Sequence, residues 1–274
     1  MCYTPFMEAL KHLNFFVTTL PAILNHYNEK EVNEVQQFSL GLLRRLEHGS
    51  ISLKILLEQF QPIPEVDFSA GLIIRAIYLD MLISLNYYKV LKDGLNNKLS
   101  EHDLKNKVDL YCKTVLADGL DQTSKYLEQA VSFGFKTAKE LREVFNVFAK
   151  SYPTYFKDHP GDGSKPKSIF PKADSPTKLF KKLADDVEMR DISGIYDGYL
   201  YYSKYDHFGE LYFDTHNSSN SEKLKMATKA IRLFTRHCAI LYEALDRTTP
   251  NDEIVKEEYK KVVLYMTQNK NNGV

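Results

Sequence analysis

Between Tyr196 and Asn217 the chain reads YDGYLYYSKYDHFGELYFDTHN, and the side chains able to do chemistry fall there at helical intervals. Tyr196, Tyr199, Ser203 and His207 are three or four residues apart, so a helix would place them on one face, with Glu210 added if it persists past Gly209. Hydroxyls at these positions can partner one nitrogen of a buried imidazole. A histidine so held suits general acid or base work. Tyr201, Tyr202, Tyr205 and Phe208 supply apolar bodies on the other sides, so two readings of His207 stand open: a residue of a functional pocket, or a satisfied histidine pinning an aromatic helix into a core. His207, Glu210, Asp214 and His216 are also metal-ligand types. A di-iron bundle needs Glu-x-x-His twice with further glutamates from other helices, and the second set is missing, so neither metal nor cofactor is expected. Asp214 and His216 are assigned to a loop or the next helix cap.

The elements that must position these residues are helical, because apolar residues recur at helical spacing and strand-like alternation is nearly absent. Val35, Leu42, Leu46, Leu53, Leu56 and Phe60 predict one long helix that ends before QPIPE, with Gly49 and Ser50 on its seam. DFSAGLIIRAIYLDMLISLNYYKVLKDG is apolar around most of its circumference and is the expected central helix. Its Arg75 sits among Leu72, Ile73, Ile74 and Ile77. Either it finds buried partners or it shares a solvent-facing stripe with Asn86, Lys89 and Asp93. SEHD at Ser100 and TAKE at Thr137 have capping-box spacing and predict two helix starts, with a further helix through QTSKYLEQAVSF between them. Tyr152 to Ser175, rich in proline, glycine and lysine, reads as a long exposed connection. Ser175 and Pro176 then open a helix through TKLFKKLADDV. After the polar break HNSSNS come an amphipathic helix through SEKLKMATKAIRLFTRHCAILYEAL and a last one through NDEIVKEEYKKVVLYM. The charged run Arg44, Arg45, Glu47 and His48 reads as a solvated face.

The segment YLYYSKYDH, Tyr199 to His207, resembles the Y-x-x-x-S-x-x-x-H helix of uncharacterised bacterial helical proteins related to the HEPN superfamily. In that family an upstream helix carries an arginine, then a carboxylate, then an aromatic residue, and RAIYLDMLISLNYY offers Arg75, Asp80 and Tyr87. Arg75 and Asp80 are five residues apart, about 140° around a helix, where the family has them on one face. The resemblance covers chiefly residues 67–93 and 193–208. It implies an antiparallel bundle in which arginine and histidine meet near a helix crossing. Many HEPN proteins are ribonucleases or toxins of bacterial defence systems, and many relatives are non-catalytic and dimerise through their helices. The superfamily's nuclease motif, arginine and histidine separated by a few residues, is similar to RLFTRH, Arg232 to His237, although Leu233 stands where active nucleases have a polar residue.

The 274 residues carry 36 basic and 36 acidic side chains, so no overall field draws the chain to DNA or an anionic membrane. Cys2, Cys112 and Cys238 lack zinc spacing and an even disulfide count, which fits a reducing cytoplasm. The N-terminus lacks signal-peptide features, and no uninterrupted apolar run reaches membrane-spanning length. GxSxG, GxxxxGK[ST] and GxGxxG are absent. The expectation is an all-α antiparallel multi-helix bundle, a single helical domain over 1–274, HEPN-like in its central part. Two functions go with it. One is a metal-independent ribonuclease acting on RNA through His207 with Arg75, or His237 with Arg232, supported by Tyr199, Ser203 and Asp80. The other is a non-catalytic interaction or homodimerisation module.

Overall fold

The computed structural model describes residues 3–60, 66–156, 163–165, 168–185, 193–203 and 218–270. Among these the regular elements are helices: α1 (Tyr3–His26), α2 (Glu34–Phe60), α3 (Asp67–Asn96), α4 (Glu101–Ser132), α5 (Ala138–Ser151), α6 (Pro176–Ala184), α7 (Ser193–Ser203), α8 (Asn220–Thr248) and α9 (Glu253–Lys270). The fold is an all-α multi-helix bundle, as the periodicity predicts. Backbone contacts divide the chain into two compact units, residues 1–92 with 176–274, and residues 93–175.

In the first unit α1 packs on α2, α8 and α9, and α8 also packs on α2 and α9. The apolar stripe of α2 is buried at Val35, Leu42, Leu46, Leu53 and Phe60, joined by Leu57, while Leu56 is half-buried. A Cβ on Gly49 would come within 2.9 Å of the Ile77 side chain, and Ser50 is fully buried, so the small residues mark a close approach of α2 to α3. α3 is the central helix. Its Tyr78 ring meets Tyr202 of α7 and Phe234 of α8, and its Tyr87 stacks on Phe38 of α2. Asn86 donates from Nδ2 to the Leu179 carbonyl of α6 at 3.0 Å.

A window of 18 residues within α3 has mean hydropathy 1.7, so this helix is long and apolar enough to cross a membrane by length and composition. Arg75 and Asp80 break the literal apolar run without lowering its average far. The window is 56% buried inside the molecule, as the apolar helix at the centre of a core must be.

In the second unit α4 is one helix where two were expected. Gly119, a weak breaker, lies inside this helix, and the Thr123 hydroxyl donates to its carbonyl at 2.9 Å. Ser100 caps α4 by accepting from the Asp103 amide, and Thr137 with Glu140 closes a full capping box on α5. The connection after α5 is not uniformly exposed. Tyr155 and Phe156 are buried against Ala117, with Leu116, Leu120, Phe148, Tyr152 and Phe170 around them, and an isolated antiparallel bridge joins Phe156 to Ser168.

Candidate functional site

α7 is short and rich in tyrosine, and a glycine sets how close it comes to α3. A Cβ on Gly198 would lie 2.5 Å from Cζ of Tyr78, whose ring is buried, so only a glycine lets the two helices approach this far. That approach brings Arg75 of α3 to Tyr199 and Ser203 of α7. The Arg75 guanidinium lies over the Tyr199 ring at 5.5 Å, and its Nε donates to Ser203 Oγ at 3.2 Å. Ser203 Oγ in turn donates to the Tyr199 carbonyl at 2.7 Å, which fixes the acceptor lone pairs toward Arg75. Tyr199 stacks with Tyr196, and Tyr196 stacks on Phe180 of α6 at 4.1 Å. The result is a half-exposed ladder of three rings ending in a guanidinium. It can grip planar or anionic groups. His207 lies outside the described residues, as do Glu210, Asp214 and His216.

Asp80 is not part of this ladder. It faces α2, where Arg45 Nε donates to Asp80 Oδ2 at 2.7 Å. Burial raises the Asp80 pKa to about 6 against the opposing hydrogen bond and charge of Arg45. The five-residue offset from Arg75 thus sends the two side chains to different neighbours. One member of the Arg44–His48 run is therefore more than a solvated face: the half-exposed Arg45 closes off a buried carboxylate.

Ser84, one turn beyond Asp80, reaches α8. Its Oγ is 2.8 Å from His237 Nδ1 and donates to the Met81 carbonyl at 3.0 Å. With the Ser84 proton directed at the Met81 carbonyl, the contact suits Nδ1–H donating to Ser84 Oγ, and Nε2 is buried without a hydrogen-bond partner. His237 is 1% exposed, and burial, with the Arg45 charge adding to it, pushes its pKa down to about 3. Arg232 does not meet it. Five residues along α8 turn the arginine toward α1, where its Nη2 donates to Glu8 Oε1. The structure thus brings Arg75, Tyr199 and Ser203 together, and it separates Arg232 from His237 and Asp80 from Arg75.

Sequence reasoning missed Arg45, Ser84 and Gly198. Asp80 and Ser84, four residues apart on a predicted helix, were the available sign of a polar stripe. Among the described residues no group of three histidine, cysteine or acidic side chains could hold a metal ion. No family model, no curated protein and no solved structure matches this chain.

Proposed function

We propose that this chain is a non-catalytic helical interaction module, with α3, α7 and α8 as its scaffold. The observation that carries this reading is the enclosure of His237: an imidazole 1% exposed, with a pKa near 3 and an arginine partner engaged elsewhere, has neither the access nor the basicity to move a proton for RNA. The partner class is another helical surface, a second copy of this chain included. The burial of Cys238 as a thiol goes with a cytoplasmic setting.

A second reading has its own support. Arg75 meets Tyr199 and Ser203 of the Y-x-x-x-S-x-x-x-H segment, whose resemblance to HEPN-like proteins implies an arginine close to His207, and a metal-independent ribonuclease would use Arg75 to stabilise a charged transition state while His207 moves the proton. Incubating the protein with mixed cellular RNA in EDTA, beside Arg75→Ala and His207→Ala, separates the two. The expected result is no cleavage by any of the three, with light scattering used to follow self-association. Cleavage by the wild type that both variants lose would replace the interaction module by the nuclease.

A further inference from the structure

Away from the Arg75 cluster, residues of α1, α8 and α9 surround a cleft. A cavity of about 230 Å³ is lined by His12 of α1, by Arg232, Thr235 and Arg236 of α8, and by Met266 and Asn269 of α9. Arg236 and Met266 also line a second cavity of about 290 Å³, whose walls include Leu85, Tyr88, Ile240, Tyr259 and Val263. The first cavity has mostly apolar walls and two arginines at its edge. The second is mostly apolar, and its carboxylate, Glu243, is tied to Arg247 at 2.8 Å.

Charge in the first cavity is unbalanced. Arg232 is paired with Glu8, whereas Arg236, one turn along α8 and exposed, has no ion-pair partner among the described residues. Two guanidiniums at this spacing repel each other. Lys11 adds a further positive charge, its Nζ donating to Asn269 Oδ1 at 2.8 Å. His12, 2% exposed, has Nδ1 3.0 Å from the Tyr265 hydroxyl, and burial lowers its pKa against the pull of Glu8. Glu8 is thus the carboxylate that pairs with Arg232 and lies beside His12, and it leaves the Arg236 charge unmatched. Between the two arginines Thr235 is only 6% exposed, and its hydroxyl is buried without a hydrogen-bond partner. An unmatched guanidinium and an adjoining apolar cavity meet at Arg236.

We infer that this cleft is a binding site for a small amphipathic organic anion, with the oxyanion head on Arg236, Arg232 and the Thr235 side and the apolar chain along Tyr88, Ile240, Tyr259 and Val263. A carboxylate accepts two parallel hydrogen bonds from a guanidinium and balances the charge that Glu8 leaves over. The apolar body displaces water from the second cavity. This site is independent of any partner bound elsewhere and of any RNA chemistry at Arg75.

The test is calorimetric titration of the full chain with octanoate, with acetate as a head lacking a body and n-octylamine as a body with the wrong charge. Octanoate is expected to bind at a single saturable site, acetate far more weakly, and octylamine not at all. Arg236→Gln, at an exposed position that leaves the wild-type Tm in place, weakens octanoate by about tenfold, the loss of one charge-assisted contact. The absence of saturable octanoate binding, equal binding of octylamine, or unchanged affinity in Arg236→Gln would each overturn the proposal. Acetate binding as tightly as octanoate would overturn its apolar half.

Discussion

Two polar clusters grow from the same helix and end in opposite chemical states. Arg75 of α3 reaches α7, where a hydroxyl and an aromatic face hold it at the surface, half-exposed. Asp80 and Ser84, one and two turns further on, reach α2 and α8, where the carboxyl becomes hard to ionise and the imidazole hard to protonate. Residue type does not separate them, since both contain a hydroxyl and an arginine. Exposure does: where water is excluded, the charged form loses its solvation, and the group is driven to neutrality. A cluster able to meet a partner and a cluster that orders the interior can therefore be cut from one helix by a few residues of rotation.

The largest effect should come from Gly198→Val. The added branches cannot fit against the buried Tyr78 ring, so α7 is pushed off α3 at a loss of about 1 to 3 kcal/mol in chemical denaturation. The Arg75 cluster opens while the imidazole resonances of His237 stay unchanged; loss of both together would show that the clusters are not separable.

Arg45→Gln strikes the enclosed cluster and costs about 1 to 2 kcal/mol at pH 8, a hydrogen bond to a charged, buried partner. Its pH dependence has a definite sign. The folded pKa of Asp80 is raised to about 6 from 3.8, so Asp80 is best tolerated when protonated, and stability from this group falls as pH rises through that window. Without Arg45 the folded pKa climbs further, so the deficit of the variant should shrink as pH is lowered toward 5. A Tm deficit constant from pH 5 to 8 would remove this account.

His237 has the opposite slope. Its folded pKa is lowered to about 3 from 6.5, so its contribution is present above 6.5 and lost as pH falls toward 3. In the wild type the two slopes oppose each other over the same range. His237 should stay neutral by NMR between pH 8 and pH 5, and protonation within that range would mean that water reaches it. Arg75→Lys is the smallest change, below about 1 kcal/mol, since a half-exposed ammonium keeps the charge and loses the planar stacking and the Nε donor. Its signature is loss of the Ser203 contact with the Tm nearly unchanged.

Much of the framework was legible from local signals. The capping box at Thr137, the cap at Ser100 and the proline opening α6 stand where the residue types place them, because capping chemistry acts within one turn. The box formed by Ser219 and Glu222 at the start of α8 has the same S-x-x-E spacing and was readable in the same way. The continuity of α4 past Gly119 was not, because a single glycine costs a helix only about 1 kcal/mol and so does not by itself end one. Nor was the seating of Tyr155 and Phe156, whose partners on α4 lie roughly forty residues away in sequence.

The sequence by itself determined the all-α class, the capped helix starts and the stripe that carries Tyr199 and Ser203, since all three depend on neighbours within a few residues. Tertiary structure alone decided which arginine meets which partner: Arg75 with Ser203, Arg45 with Asp80, Arg232 with Glu8. It also decided that His237 is enclosed while Arg236 stands open. Periodicity marks a face, but the helix that covers it, and hence the water left there, is set by packing across the whole chain.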